Sequence, residues 1–277
     1  MPTTILNFIN NEFREPRGGA FLDDVNPATG EVIARVPDST RDDVDDAVRA
    51  AERAFSAWAA TPAEQRSKTL LRLADLIDRD LHSLALAECH DTGKPLSLCR
   101  RVDIPRAAAN FRFFAHAIIA TRSELHDADG AALNYTLRRP LGVVGAISPW
   151  NLPLYLFTWK IAPALATGNT VVAKPSEVTP ITAFLLANLC VEAGLPPGAI
   201  NILHGRGPSC GSAIVEHPRI KAVTFTGGTS TGEAIARAAA PMFKKLSLEL
   251  GGKNPNLVFA DADLPDAVET SVRAAFT

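Results

Sequence analysis

Residues 142–177 run Gly142-Val-Val-Gly-Ala-Ile147, Ser148-Pro-Trp-Asn-Leu-Pro153, Leu154-Tyr-Leu-Phe-Thr-Trp-Lys-Ile-Ala-Pro-Ala-Leu-Ala166 and, after a Thr-Gly-Asn turn, Thr170-Val-Val-Ala-Lys-Pro-Ser-Glu177. The first and last pieces are short apolar runs bounded by turn residues, the pattern of strands buried on both faces. Between them lies a helix-length apolar stretch with Pro153 in its first turn, where a proline costs no hydrogen bond. Strand, helix, strand in this order implies a parallel pair joined by a right-handed crossover. The alternation continues. A helix over 179–193 stops at Gly194, and strands over 200–203 and 222–226 alternate with helices over 209–216 and 229–240. The fold class is therefore α/β, an open, Rossmann-like parallel sheet. Such sheets bind ligands beyond the carboxyl ends of their strands. The loops starting at Ser148, Lys174, Gly205 and Gly227 should lie along that one edge.

Upstream, residues 5–36 read as short β pieces with turn signals such as Asn26-Pro-Ala-Thr-Gly30. Val44, Val48, Ala51, Phe55 and Trp58 then share one helical face, with Ser39 or Thr40 as cap. Thr61-Pro62-Ala63-Glu64 reads as a capping box, followed by a stripe of Leu70, Leu73, Ile77, Leu81 and Leu84. A third helix spans about 96–120, and Pro105 should kink it or begin a new segment. Residues 123–139 resemble an exposed hairpin. Downstream, Lys245-Leu-Ser-Leu-Glu-Leu-Gly-Gly-Lys-Asn254 is a strand ended by two glycines, and it carries one carboxylate, Glu249. A carboxylate in an apolar strand is costly to bury unless something uses it. Leu264, Val268 and Val272 recur at helical spacing near the end.

The bulk properties are ordinary: 277 residues, 47% hydrophobic, 21% charged, net charge −2. Neither nucleic acid nor an anionic membrane is an expected partner. No basic, then apolar, leader opens the chain, and no apolar run reaches the length of a membrane span. The cysteines at 89, 99, 190 and 210 lie far apart without CxxC spacing, as reduced thiols of a cytoplasmic protein do. No metal site is expected.

Residue by residue, the sheet-edge loops allow two readings each. Gly227–Gly232 opens directly into a helix and fits a pyrophosphate at a helix N-terminus, or a tight strand-to-helix turn. Lys174 and Glu177 fit a ribose clamp, the carboxylate accepting from vicinal hydroxyls and the ammonium donating, or a solvated turn. Asn151 could donate its amide to a developing oxyanion, or simply form a turn before Leu-Pro.

Taken in order, Pro149-Trp-Asn-Leu-Pro153, Val172-Ala-Lys-Pro-Ser-Glu177, Phe225-Thr-Gly-Gly-Thr-Ser-Thr-Gly232 and Leu248-Glu-Leu-Gly-Gly-Lys-Asn-Pro255 resemble the aldehyde dehydrogenase superfamily, over the whole chain. The resemblance implies an NAD-binding domain of residues 1–122 and 140–250 with a five-stranded sheet. It also implies an oligomerisation hairpin over 123–139, supporting a dimer or tetramer, and the start of a catalytic domain over 251–277 that is otherwise missing. Asn151 resembles the oxyanion donor, and Glu249 the base that activates the hydrolytic water. Ile147, Ser148, Trp150, Lys174, Ser176, Glu177, Gly207, Gly211, Phe225, Gly227, Gly228, Gly232 and Leu250 resemble the cofactor shell. Glu177 implies NAD over NADP, by repulsion of a 2′-phosphate.

The resemblance also carries a departure. The family's nucleophilic cysteine follows the Glu249 position by a few tens of residues, and the chain ends at Thr277 first. None of the four cysteines suits the role, so this chain alone is expected to be inactive. Gly228 stands where many members have serine. Asp103-Ile-Pro-Arg-Ala-Ala-Ala-Asn-Phe-Arg-Phe-Phe-Ala-His116 and the stretch from Ser148 to Leu165 look closest to the 2-aminomuconic and 2-hydroxymuconic semialdehyde dehydrogenase group. In that reading the substrate is a small aldehyde bearing a carboxylate, facing Leu152 and Trp159 and paired with Arg106, or with Arg112 as second choice. A solvated helix arginine is the alternative for Arg106. A betaine-aldehyde type substrate, being cationic, fits Arg106 poorly. The competing class is a truncated protein that binds NAD or pairs with homologous subunits without catalysis.

Overall fold

The computed structural model describes residues 2–252 and 255–276. Lys253 and Asn254 of the run ending at Pro255, and Thr277, lie outside the described residues. Five short strands come first: β1 (Thr3–Thr4), β2 (Asn7–Ile9), β3 (Glu12–Arg14), β4 (Phe21–Val25) and β5 (Val32–Pro37). A helical layer follows: α1 (Arg41–Ala60), α2 (Ala63–Arg79), α3 (Leu81–Thr92), α4 (Leu96–Leu98), a π-helical turn over Cys99–Asp103, and α5 (Ile104–Ile119). Pro105 thus begins a new segment. Strands β6 (Leu125–Ala128) and β7 (Ala132–Tyr135) form the hairpin read from 123–139.

The alternating part is β8 (Val143–Ile147), α6 (Pro153–Ala166), β9 (Thr170–Lys174), α7 (Ile181–Ala193) and β10 (Ile200–Ile202). After a π-helical turn over Gly207–Gly211 come α8 (Ser212–Glu216), β11 (Ile220–Gly227), α9 (Thr229–Ala239), a 3₁₀ turn over Ala240–Met242, β12 (Lys245–Leu250) and α10 (Leu264–Phe276). The main sheet has the order β12-β11-β8-β9-β10-β2-β3. Its pairings from β12 to β10 are all parallel, as read from the alternation. An addition not foreseen is the β2–β3 hairpin, which extends the sheet antiparallel through Ile202 opposite Phe8. Order reverses between β8 and β11, so a crevice is expected at the carboxyl ends there.

Successive residues of the central strands serve opposite layers, as strand pleating requires. Val144, Ala146, Val171 and Ala173 pack with α2, α5, α6 and α7. Val143, Ile147 and Val172 pack with α1, α8 and α9. Gly145 belongs to the second face, where a Cβ would stand 2.6 Å from Ile214 Cγ2.

The α1 cap is as read: the Thr40 backbone N–H donates to Asp43 Oδ2 at 2.9 Å. The capping box at Thr61 is not. Helix α2 starts at Ala63 with no side-chain cap, and Thr61 Oγ1 instead donates to Ala57 O at 3.0 Å. With only Thr61 and Pro62 between two helices, the hydroxyl closes the end of the first rather than the start of the second.

Candidate functional site

A cleft of about 700 Å³ opens at the carboxyl ends of β8, β9 and β11. Every expected cofactor-shell residue lies on its wall except Gly232 and Leu250. Those two instead touch each other one turn into α9, where a Cβ on Gly232 would stand 2.5 Å from Leu250 Cδ2. Sequence reasoning missed the apolar end of the cleft, made by Pro208, Val215, Ile235 and Ala238. The signal was present in α9, which is amphipathic, but the sequence reading gave these helices only their bounds.

Lys174 is buried by the β9 run that carries it, and its ammonium is fully committed. It donates to Pro175 O at 2.8 Å, Gly205 O at 2.8 Å and Glu177 Oε2 at 3.0 Å. An ammonium has three hydrogens, and here each is directed at a protein acceptor. Glu177 also accepts from the Gly207 N–H at 3.4 Å. Burial opposes the Glu177 charge, but Lys174 and the backbone N–H groups outweigh it and hold the carboxyl below its ordinary range. Ser148 Oγ is buried beside the cleft with no hydrogen-bond partner among the described residues. Gly228 is the N-cap of α9, and a Cβ there would meet open space. The first-turn N–H groups of a helix have no intrahelical acceptor and favour an anion.

Asn151 precedes α6 and is exposed. Glu249 sits opposite Thr226 on the edge strand β12, and is also exposed. The desolvation cost that singled it out in the sequence is therefore absent. Lys160, which sequence reasoning passed over, reaches this region from α6. Its ammonium donates to Thr226 Oγ1 at 2.7 Å and Thr224 Oγ1 at 3.3 Å. Burial pushes Lys160 down to about 8, and the Glu249 charge resists the shift. A lone lysine inside the apolar α6 run was the available signal.

The α5 and α6 helices pack together, joined by Asn110, whose amide donates to Tyr155 O and Thr158 Oγ1, each at 2.9 Å. On this side the exposed Arg106 guanidinium lies 4.4 Å from the centroid of the Tyr155 ring. Arg112, the second choice, pairs with Asp75 at 2.7 Å and Asp78 at 2.6 Å. Trp159 packs edge-on to Phe114 at 5.4 Å, and Leu152 is half-buried. Cys99, Cys190 and Cys210 are buried, and burial pushes each thiol up to about 12; Cys89 is half-buried in α3. No group of three or more metal-ligating side chains occurs among the described residues.

The family model described as "Aldehyde dehydrogenase family" matches residues 13–277. The 2-aminomuconic semialdehyde dehydrogenase of Danio rerio is 53% identical over 257 residues, covering 92% of this chain and 53% of the relative. The 2-hydroxymuconic semialdehyde dehydrogenase of Pseudomonas sp. (strain CF600) is 51% identical over 278 residues, covering 98% and 57%. Among solved structures, the NAD+ complex of aldehyde dehydrogenase from Bacillus cereus superposes with TM-score 0.93 at 42% identity, covering 96% of this chain and 55% of that one. PnpE in complex with nicotinamide adenine dinucleotide gives TM-score 0.95 at 41%, covering 100% and 56%. The chain spans about half the length of the curated relatives it matches.

Proposed function

The chain belongs to the aldehyde dehydrogenase family, and from that premise we propose that its cleft holds NAD. We further propose that it serves the oxidation of an aldehyde bearing a distal carboxylate, of the 2-aminomuconic or 2-hydroxymuconic semialdehyde type. The observation that carries the cofactor reading is the convergence on one cleft of Ser148, Glu177, Gly207, Gly227 and Gly228 with the N-terminus of α9. The cleft fits such a group in three respects. Its apolar end suits a flat ring, its helix terminus suits a diphosphate, and Ser148 Oγ lacks a protein partner.

NAD, when bound, supplies the hydride acceptor. Glu177 accepts from a ribose hydroxyl and repels a 2′-phosphate, while Lys174 holds Glu177 in place instead of touching the sugar. The Asn151 amide donates to the oxyanion formed at the aldehyde carbon. Glu249 takes the proton of the hydrolytic water. Arg106 meets the distal carboxylate. Its position over Tyr155 orients the guanidinium by cation–π attraction. The hairpin β6–β7, with Leu125, Leu133 and Tyr135 exposed, serves a homo-oligomer of two or four chains. Four unpaired thiols suit the cytoplasm.

The nucleophile of this chemistry is a thiolate. None of the four cysteines here qualifies: Cys99, Cys190 and Cys210 are buried and hold their protons far above neutral pH, and Cys89 lies in α3 off the wall of the cleft. The 277-residue chain on its own should therefore bind NAD and form no NADH with an aldehyde. Calorimetric titration with NAD, paired with an absorbance assay, checks both halves. No binding at millimolar NAD would overturn the cofactor reading, and sustained NADH formation would overturn the inactivity. In a full-length enzyme built on this sequence, Arg106→Ala should lower kcat/KM at least tenfold for a carboxylate-bearing semialdehyde and little for an aliphatic aldehyde of similar length. A charge-assisted hydrogen bond is worth about 1.5–3 kcal/mol. Equal losses for both substrates would make Arg106 a structural residue.

A further inference from the structure

We propose that Asp38 decides the choice between NAD and NADP by holding the Arg206 guanidinium away from the ribose end of the cleft, so that no cation there is free to receive a 2′-phosphate. The proposal rests on the reading of the cleft as the NAD site. It starts from a loop with two sides. Gly205 O accepts from Lys174, and the Gly207 N–H donates to Glu177 Oε1 at 3.4 Å, so the loop is fastened to the Lys174–Glu177 pair on either side of Arg206. Gly207 and Pro208 line the cleft, whereas Arg206 between Gly205 and Gly207 does not. Its side chain turns to Asp38, whose Oδ2 accepts from Nη2 at 2.6 Å and Nε at 3.1 Å.

The two partners differ in freedom. The Arg206 side chain is 60% exposed, whereas that of Asp38 is only 11% exposed. The Asp38 backbone is fixed at the end of β5 by its own N–H on Ala20 O at 2.9 Å and by the Ser39 N–H on His204 O at 3.1 Å. The carboxylate is thus the fixed post and the guanidinium the tethered arm. Arg206 sits close enough to Glu177 for their charges to interact. Arg206 directly precedes Gly207, whose N–H meets Glu177 Oε1 at 3.4 Å and which lines the cleft, so an untethered side chain starts one residue from the ribose edge.

A 2′-phosphate placed by Glu177 would meet a like charge. Lys174 cannot offset it, since its three donors are spent. Arg206 is the other cation fastened to this rim among the described residues, and guanidinium is well suited to phosphate. Discrimination against NADP then has two parts: the Glu177 charge repels, and Asp38 withholds the compensating cation. Freed from Asp38, Arg206 can bind the phosphate or pair with Glu177. Either outcome moves preference toward NADP.

The test is titration calorimetry of NAD and NADP on the 277-residue chain. Asp38→Asn should raise the NADP-to-NAD affinity ratio about tenfold, the scale of one charge-assisted hydrogen bond to phosphate. Asp38→Asn/Arg206→Gln should return the ratio to within about twofold of the parent. Arg206→Lys leaves Asp38 in place but offers it a single nitrogen, so the ratio should rise in the same direction by a smaller factor; this variant keeps the proposal testable if Asp38→Asn does not fold. An unchanged ratio in Asp38→Asn or, where that variant does not fold, in Arg206→Lys overturns the proposal while NAD binding by the parent preserves the cofactor reading. A gain that persists in the double variant also overturns it. Failure of the parent to bind NAD at all overturns both.

Discussion

Glu177 keeps its charge in a half-buried place because a fully buried lysine and a backbone N–H are spent on it. That makes its repulsion of a 2′-phosphate a fixed property of the cleft under the proposed function. Glu177→Gln should narrow the NAD-over-NADP preference about tenfold, since one charge–charge term of roughly 1–2 kcal/mol at partly buried distances is removed. Parallel titrations with the two cofactors check this, and an unchanged preference would contradict it. The Lys-Pro-Ser-Glu run showed in the sequence that a carboxylate and an ammonium stand together. It did not show that the ammonium is used up, because one acceptor, Gly205 O, lies 31 residues away in sequence. Glu249 went the other way. Its strand was legible from alternation, but its exposure follows from β12 being an edge strand, and strand order is set by long-range pairing.

Three helices meet near the cleft through one acid. Glu88 in α3 accepts from Thr182 Oγ1 of α7 at 2.9 Å, and the backbone of Leu154 in α6 lies close enough to favour its charged form. Both helices begin just after cleft loops. Asp91, one turn on, accepts from the Ile181 N–H at 3.0 Å at the start of α7. The sequence reading ran one stripe from Leu70 to Leu84, which the structure divides at Asp80 into α2 and α3, and it missed these carboxyls, since burial of an acid leaves no mark in periodicity. Burial pushes Glu88 up to about 7 from an ordinary 4.5. The folded state therefore holds this proton more tightly than the unfolded one. Its stabilising contribution is fully present below about pH 4.5 and is lost as pH rises through about 7, a term of about 3 kcal/mol. Glu88→Gln should flatten the fall of Tm between pH 5 and pH 8, measured by calorimetry; an equally steep fall in the variant would contradict this. At the same level, Gly145 in β8 faces Ile214, with only 2.6 Å for an added Cβ. Gly145→Ala should cost about 1–3 kcal/mol in denaturant unfolding, and no loss would mean α8 yields freely.

The parallel strands, the crossovers and the cleft edge were legible because apolar runs and turn residues alternate cleanly from Gly142 to Thr231. The antiparallel β2–β3 extension was not, because strands of three residues carry too little pattern to reveal their partner. At this scale the chain also presents apolar side chains to solvent beyond the sheet: Leu257, Phe259, Leu264, Val268 and Val272 are all more than half exposed. A patch of that kind promotes association. Light scattering should find oligomers or concentration-dependent association in the isolated chain, and a monomer that binds no hydrophobic dye would contradict this.

The central claim is that the carboxyl edge of β8, β9 and β11 is a dinucleotide site, and hydrogen–deuterium exchange with and without saturating NAD tests it most directly. Protection should appear in the backbone amides of Gly227–Thr231 and Gly205–Gly211, and at Ser148. The opposite edge, where Gly142, Val143 and Lys221 border a smaller cavity of about 310 Å³, should exchange unchanged. Protection confined to that opposite edge, or equal exchange everywhere, would contradict the account.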